Sequence, residues 1–290
     1  MSNSEGQDVG GASAIRFAAD GSITHAYRIL DGTNRNCAGE PTPWGTWLSC
    51  EEVSRGRVYE TDPRGQQSPV ELPAMGRFTH EAAAVDPVRQ VVYLTEDEPD
   101  GCLYRFRPSV WPDLTDGILE VLCQRDNSRS VTWKAVPDPS ARRRSTRDQV
   151  PAAKRFDGGE GAWYAGGRCW FTTKGDNRVW CYDATTEQVG VIAEPATTQL
   201  HTVDSIVAAQ TGELFIAEDG PEMRICSLAT SGRATPFLSI SGHSDSEMTG
   251  PAFSPDGTRL YFSSQRGPTG EDGNGITYEV TGPFLSRRPS

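Results

Sequence analysis

The chain has 290 residues, with 28 basic against 39 acidic side chains and a net charge of −11. That balance argues against nucleic acid and anionic membrane surfaces as partners and is compatible with cation binding. With 30 glycines, 20 prolines and few long apolar periodic segments, the composition favours many short strands joined by turns. The length suits one large domain, taken here as residues 1–290, with a sizeable core.

The N-terminus, "MSNSEGQDVGG", has neither a basic start nor an apolar stretch, so no signal peptide is read. As written the chain reads as cytoplasmic, or as exported if a leader is missing. No run approaches the roughly 18 apolar residues needed to cross a bilayer. Next comes "AIRFAADGSITHAYRIL", whose alternation predicts strands that complete the last unit of a closed ring.

Five later segments resemble one another: "GTWLSCEE", "QVVYLTEDE", "GRCWFTTKGD", "GELFIAEDG" and "TRLYFSSQRG". Each is a short apolar or aromatic strand ending in a polar cluster, and most lead through a Gly turn into another strand. They recur about every 45 residues, except for one gap of about 77. That gap leaves room for a shortened or irregular unit containing "VLCQRDNSRSVTWKAV". The period predicts an all-β protein, a β-propeller of six blades with about four antiparallel strands each. A two-sheet sandwich is the alternative, but it requires no regular period. Residues 138–156, "DPSARRRSTRDQVPAAKRF", break the pattern and are expected to form a basic, mobile surface loop. A basic lip that attracts anionic substrates is the functional reading of the same segment.

The seven cysteines form no C-x-x-C pair, so a zinc ribbon is not expected. Cys169 and Cys181 lie in strand-like runs and are expected as small core residues. Aligning the repeats on their strand ends places Cys37, Glu81, Glu160, Asp204 and Glu247 in one slot, at intervals of 44, 79, 44 and 43 residues. In a propeller such positions face one another around the central axis. Four carboxylates and a thiol crowded there would repel, and bound cations would relieve the conflict. Carboxylate oxygen suits Ca²⁺ or Fe³⁺ and a thiolate suits a softer transition metal, so a mixed site is expected. Each acid could instead cap a turn or pair with an arginine. His80 should point to the opposite strand face from Glu81. His25, His201 and His243 show no zinc-like spacing. Cys50, at the end of an apolar strand, is read as a buried hydrophobe rather than a disulfide partner of Cys37.

The motifs "NCAGEPTPWGTWLSCEE", "GRFTHEAAAVDP", "VVYLTEDEPDGCLYRFRP", "GGEGAWY", "FTTKGDNRVWCYD" and "TGPAFSPDGTRLYFSSQRG" resemble the PhoX-type alkaline phosphatases over about residues 31 to 267. The resemblance implies a six-bladed propeller, phosphomonoester hydrolysis, and an iron–calcium cofactor held by carboxylates and one cysteine. It carries metal-ligand roles onto Cys37, Glu81 and Glu160, and further onto Glu52, Glu218 and Asp219. Three departures stand out. Glu40 replaces a glycine of the family's N-C-A-G-G motif, which could strain the backbone. The chain is expected to begin too late to include an upstream acid that the family uses. Gly158 stands where these phosphatases tend to have an arginine, two residues before the glutamate of E-G.

The expected chemistry is metal-assisted phosphoryl transfer with a metal-held oxygen as nucleophile, on a small phosphorylated substrate. No residue is assigned as the nucleophile, and a monomer is favoured. The rival readings are a Ca²⁺-dependent lactonase-like hydrolase and a non-catalytic, degenerate propeller.

Overall fold

Strands form where apolar and polar residues alternate, and they stop at Gly, Asp and Asn turns. The computed structural model describes residues 1–124, 128–229, 231–282 and 284. They form six small antiparallel sheets, the blades of a six-bladed β-propeller, each numbered here in chain order. Blade 1 contains β1 (Ser2–Ser4), β2 (Gly10–Phe17) and β3 (Ile23–Thr33). Blade 2 contains β4 (Asn36–Pro41), β5 (Trp47–Glu51), β6 (Val58–Thr61) and β7 (Val70–Glu71). Blade 3 has five strands: β8 (His80–Asp86), β9 (Val91–Glu96), β10 (Leu103–Val110), β11 (Asp113–Gln124) and β12 (Val131–Ala135). Blade 4 contains β13 (Gly159–Ala165), β14 (Arg168–Thr173), β15 (Arg178–Asp183) and β16 (Gln188–Ala193). Blade 5 contains β17 (Val203–Ala208), β18 (Leu214–Glu218), β19 (Arg224–Leu228) and β20 (Ala234–Ser239), and blade 6 contains β21 (Met248–Phe253), β22 (Arg259–Ser264) and β23 (Ile276–Thr281). The strands β1, β4, β8, β13, β17 and β21 each begin a sheet, and successive ones pack side by side around the axis from β1 to β21.

Two expectations are corrected. The opening strands build a blade of their own instead of completing the last one. Blade 6 therefore stops at three strands, and the ring closes by packing, with Phe17 against Tyr261 at 5.2 Å between ring centroids. The long gap holds no extra blade. Its segment "VLCQRDNSRSVTWKAV" runs from β11 into β12 as the outer part of blade 3, apart from residues 125–127, which lie outside the described residues.

The basic segment 138–156 makes specific contacts with blade 3. Arg147 bonds the buried Glu96 at 2.9 Å and Asp100 at 2.9 Å, and Thr146 bonds Tyr104. Val150 and Phe156 are buried, and Arg155 pairs with Asp148. A buried carboxylate that needs a counter-charge holds the segment, and composition does not show that.

The core is a set of slabs between blades. Leu48, Cys50 and Val58 of blade 2 meet Ala83, Val85 and Leu94 of blade 3. Tyr93 and Leu103 meet Phe171 and Tyr182, and the pattern repeats around the ring. Cys169 is buried as expected, but Cys181 is only half-buried, in a cleft beside Trp170. Among the described residues no helix is long and apolar enough to cross a membrane.

Candidate metal centre

The inner strands share one irregularity. Pairing slips between Asn36 and Gly39 in β4, His80 and Ala83 in β8, Gly159 and Ala162 in β13, and Val203 and Ile206 in β17. A bulge inserts an extra residue and re-aims its side chain. The bulged residues begin with Cys37, Glu81, Glu160 and Asp204, the aligned slot. Threonines of the preceding blade brace two of these bulges. Thr95 donates to the Glu160 carbonyl at 2.6 Å, and Thr172 donates to the Asp204 carbonyl. Cys50 is the matching residue of blade 2. It is fully buried and unpaired with Cys37, since all seven cysteines are free. After the blade 4 bulge the backbones of β13 and β17 nearly touch: a Cβ on Gly161 would lie 2.8 Å from Ile206 N.

Blade 6 differs. Its pairing slips later, between Thr249 and Ala252, and Glu247 lies ahead of β21. Glu247 is equivalent to the residue two before the slot. Its carbonyl accepts from Gln265 N–H, just as the carbonyls of Arg35, Thr79, Gly158 and Thr202 accept from Glu52, Asp97, Lys174 and Asp219. Those donors form a second ring, contributed by the residue just beyond the second strand of each of blades 2 to 6.

Three groups of ligand atoms result, each within 4.8 Å: Glu5, Cys37 and Glu52; Glu81, Glu160 and Asp204; and Asp204, Asp219 and Glu247. Asp204 belongs to two of them. Seven of the eight expected ligands therefore converge, and Glu218 stands apart. Its Oε1 accepts from His201 N–H at 2.8 Å, and its Oε2 from Arg224 at 2.6 Å. Glu51 does the same for Asn34 N–H at 3.0 Å. In both blades the last residue of the second strand clamps the loop that feeds the slot. The next residue, Glu52 or Asp219, points to the axis, because neighbouring strand residues face opposite ways.

Sequence reasoning passed over two contributors. Glu5 follows β1 and accepts a hydrogen bond from Gln265, so an acid from the start of the chain does reach the centre. Asp97 lies beside Glu52 and shares a hydrogen bond with it. Asp97 was legible as the blade 3 counterpart of Glu52. Glu5 sits outside the repeat and carried no such signal. His80, as expected, turns away: it is buried against Phe78, its Nε2 lies 3.1 Å from Gly76 O, and burial lowers its pKa to about 3.

The electrostatics suit cation binding. Both carboxylate oxygens of Glu81 are buried without a hydrogen-bond partner. Burial, then repulsion from Glu160, holds its pKa well above the usual range. Burial is also the first cause for Glu52 (about 9), Glu160 (about 10) and Glu247 (about 8), followed by neighbouring acids. The Cys37 thiol is raised by burial and by Glu81. Three oxygen-rich groups, one of them with a thiol, suit one softer ion and harder ions beside it.

A family model, "Alkaline phosphatase PhoX", matches residues 8–64 and 54–194, more than half of the chain. The chain belongs to this family. Among solved structures, the PhoX of Pseudomonas fluorescens, in complex with vanadate, a transition state analogue, is 20% identical, with a TM-score of 0.67 over 96% of this chain and 74% of that one. A gluconolactonase from Xanthomonas campestris gives 12% identity and a TM-score of 0.53 over 89% and 75%. A chain of a nidogen/laminin complex gives 10% and 0.59 over 91% and 85%. These likenesses concern the propeller fold. No curated protein matches the chain.

Two departures from PhoX motifs can now be placed. Glu40 does not strain β4, since it is absent from the residues with positive φ. It is buried, which raises its carboxyl, and its Oε2 has no hydrogen-bond partner. Gly158 has φ +69°, a left-handed conformation that an arginine would adopt only under strain.

Proposed function

We propose that this PhoX-family chain is a metal-dependent phosphomonoesterase that uses iron and calcium at the propeller axis. One observation carries the reading: a buried, partnerless carboxylate, Glu81, that belongs to one of three groups of ligand atoms. Cys37, with Glu5 and Glu52, would hold the softer ion, iron. Asp204, Asp219 and Glu247 would hold calcium through oxygen alone. Glu81, Glu160 and the shared Asp204 would join the two sides. Bound metals supply charge neutralisation and polarisation of a phosphate ester.

The protein's part is to fix these donors. The bulges aim the slot side chains, the cross-blade threonines lock two of them, and Asp97 positions Glu52. A lone Ca²⁺ serving lactone hydrolysis would have no use for the Cys37 sulfur, which favours the phosphatase reading. The small size of the substrate is part of this proposal.

The test is elemental analysis of protein purified without chelator, with p-nitrophenyl phosphate hydrolysis measured before and after chelation and on adding Ca²⁺. Iron with calcium and chelator-sensitive hydrolysis are expected. Calcium alone would favour the lactonase reading, and no stoichiometric metal would leave a non-catalytic propeller.

A further inference from the structure

The second ring reads Glu52, Asp97, Lys174, Asp219 and Gln265 around blades 2 to 6. Blade 4 thus places a cation where three other blades place an acid. The Lys174 ammonium bonds Asp219, lies 3.5 Å from Asp204 Oδ2 and lies 4.0 Å from Glu160 Oε1. These contacts span both oxygen-only ligand groups. Yet the side chain is 34% exposed, so it reaches the open mouth rather than a sealed ion pair. Beside it lies Gly158, where a Cβ would stand 3.9 Å from Lys174 Cβ. No side chain from that residue hinders the lysine stem.

The three carboxylates around Lys174 are the same groups that would coordinate metal. Their lone pairs cannot serve both fully. Metal occupancy weakens their hold on the ammonium, and like charge pushes it toward the mouth. Its three N–H donors then need acceptors, and an anion held by the metals offers them. Arg266 also lies near the ring, but besides Glu247 it donates to the Gln265 side-chain oxygen and the Asp245 carbonyl, neither of them a proposed metal ligand, and these hold it in place.

We propose that Lys174 is a phosphate-binding residue, gripping a non-ester oxygen of the phosphate once metals occupy the acid ring. The inference rests on the phosphatase reading above. Its test uses metal-loaded wild type, Lys174→Met and Lys174→Arg. Calorimetry measures binding of inorganic phosphate, and elemental analysis counts metal in each. Lys174→Met should bind phosphate about 10- to 100-fold more weakly, the loss of one charge-assisted bond, with metal content unchanged. Lys174→Arg, which keeps the charge, should recover much of the affinity and shows that the fold tolerates change there. The proposal is overturned if Lys174→Met binds phosphate as wild type does, or if it gains an extra metal ion, which would make Lys174 a resident counter-ion. If the metal-loaded wild type neither binds phosphate nor hydrolyses its esters, the phosphatase reading itself falls and the proposal goes with it. Ester hydrolysis by wild type combined with unaltered phosphate binding by Lys174→Met overturns the proposal alone.

Discussion

Metal binding to this protein should expel protons, and their number follows from the acid ring. In the metal-free fold Glu52 titrates at about 9, Glu160 at about 10 and Glu247 at about 8, while Asp204 lies at about 6. At pH 7 the first three are protonated and Asp204 is mostly ionised, so these carboxyls hold about three protons. The Cys37 thiol, protonated at pH 7 even at its ordinary value and raised further by burial, adds about one more. Ligands must shed these protons to coordinate. Saturating the metal-free protein at pH 7 should therefore release about four protons from these groups, read by calorimetry in buffers of different ionisation enthalpy. The number should fall as pH rises through 8 to 10, where Glu247, Glu52 and Glu160 ionise unaided.

The same shifts set the sign for stability. Carboxyls with raised folded pKa values bind more protons folded than unfolded, where glutamate titrates near ~4.3. Their contribution is full below the unfolded value and is lost as pH rises through the folded values. The metal-free protein should therefore melt at progressively lower temperature as pH goes from about 5 to about 9, and bound metal should remove that slope. Release of fewer than one proton at pH 7 would refute the reasoning, since the carboxyls would then be either already ionised or not ligands.

The two cysteines of the opening motif should behave differently. Cys37→Ala should strip iron and any phosphatase activity while the fold, followed by circular dichroism, is retained. Cys50→Ala removes a fully buried thiol from the slab between blades 2 and 3, so it should cost about 1 kcal/mol in denaturant unfolding and leave metal content intact. Glu218→Ala removes one of the two carboxylates on the Arg224 guanidinium, which is only 15% exposed and keeps Glu222 at 2.6 Å, and leaves His201 N–H without its acceptor. It should destabilise the protein by about 3 kcal/mol. The metals should remain, because Asp219, not Glu218, faces them; loss of metal without loss of stability would overturn that division of labour.

The period near 45 residues was enough for the propeller, because every blade must present the same apolar faces to its neighbours. It was also enough for the slot, because Cys37, Glu81, Glu160 and Asp204 share one bulge. What the sequence could not carry was pairing. Glu218 and Asp219 are adjacent letters, and only the strand register shows that one clamps the loop before Asp204 while the other faces the axis. Arg147 looked like part of a loose basic stretch because its partner, Glu96, is some fifty positions away. The opening strands alternate as any blade strand does, and nothing in that alternation says whether they join the last sheet or stand alone. Glu5 was hidden for the same reason.

The standalone first blade gives the centre a seam. Glu5 of blade 1 accepts from Gln265 of blade 6, so the acid that joins Cys37 and Glu52 is gripped from across the join between the two three-stranded blades. Prying blades 1 and 6 apart would remove that brace from the cysteine-containing group while leaving the strand pairing of blades 3 to 5 intact, which ties the geometry of this one group to how tightly the ring is closed.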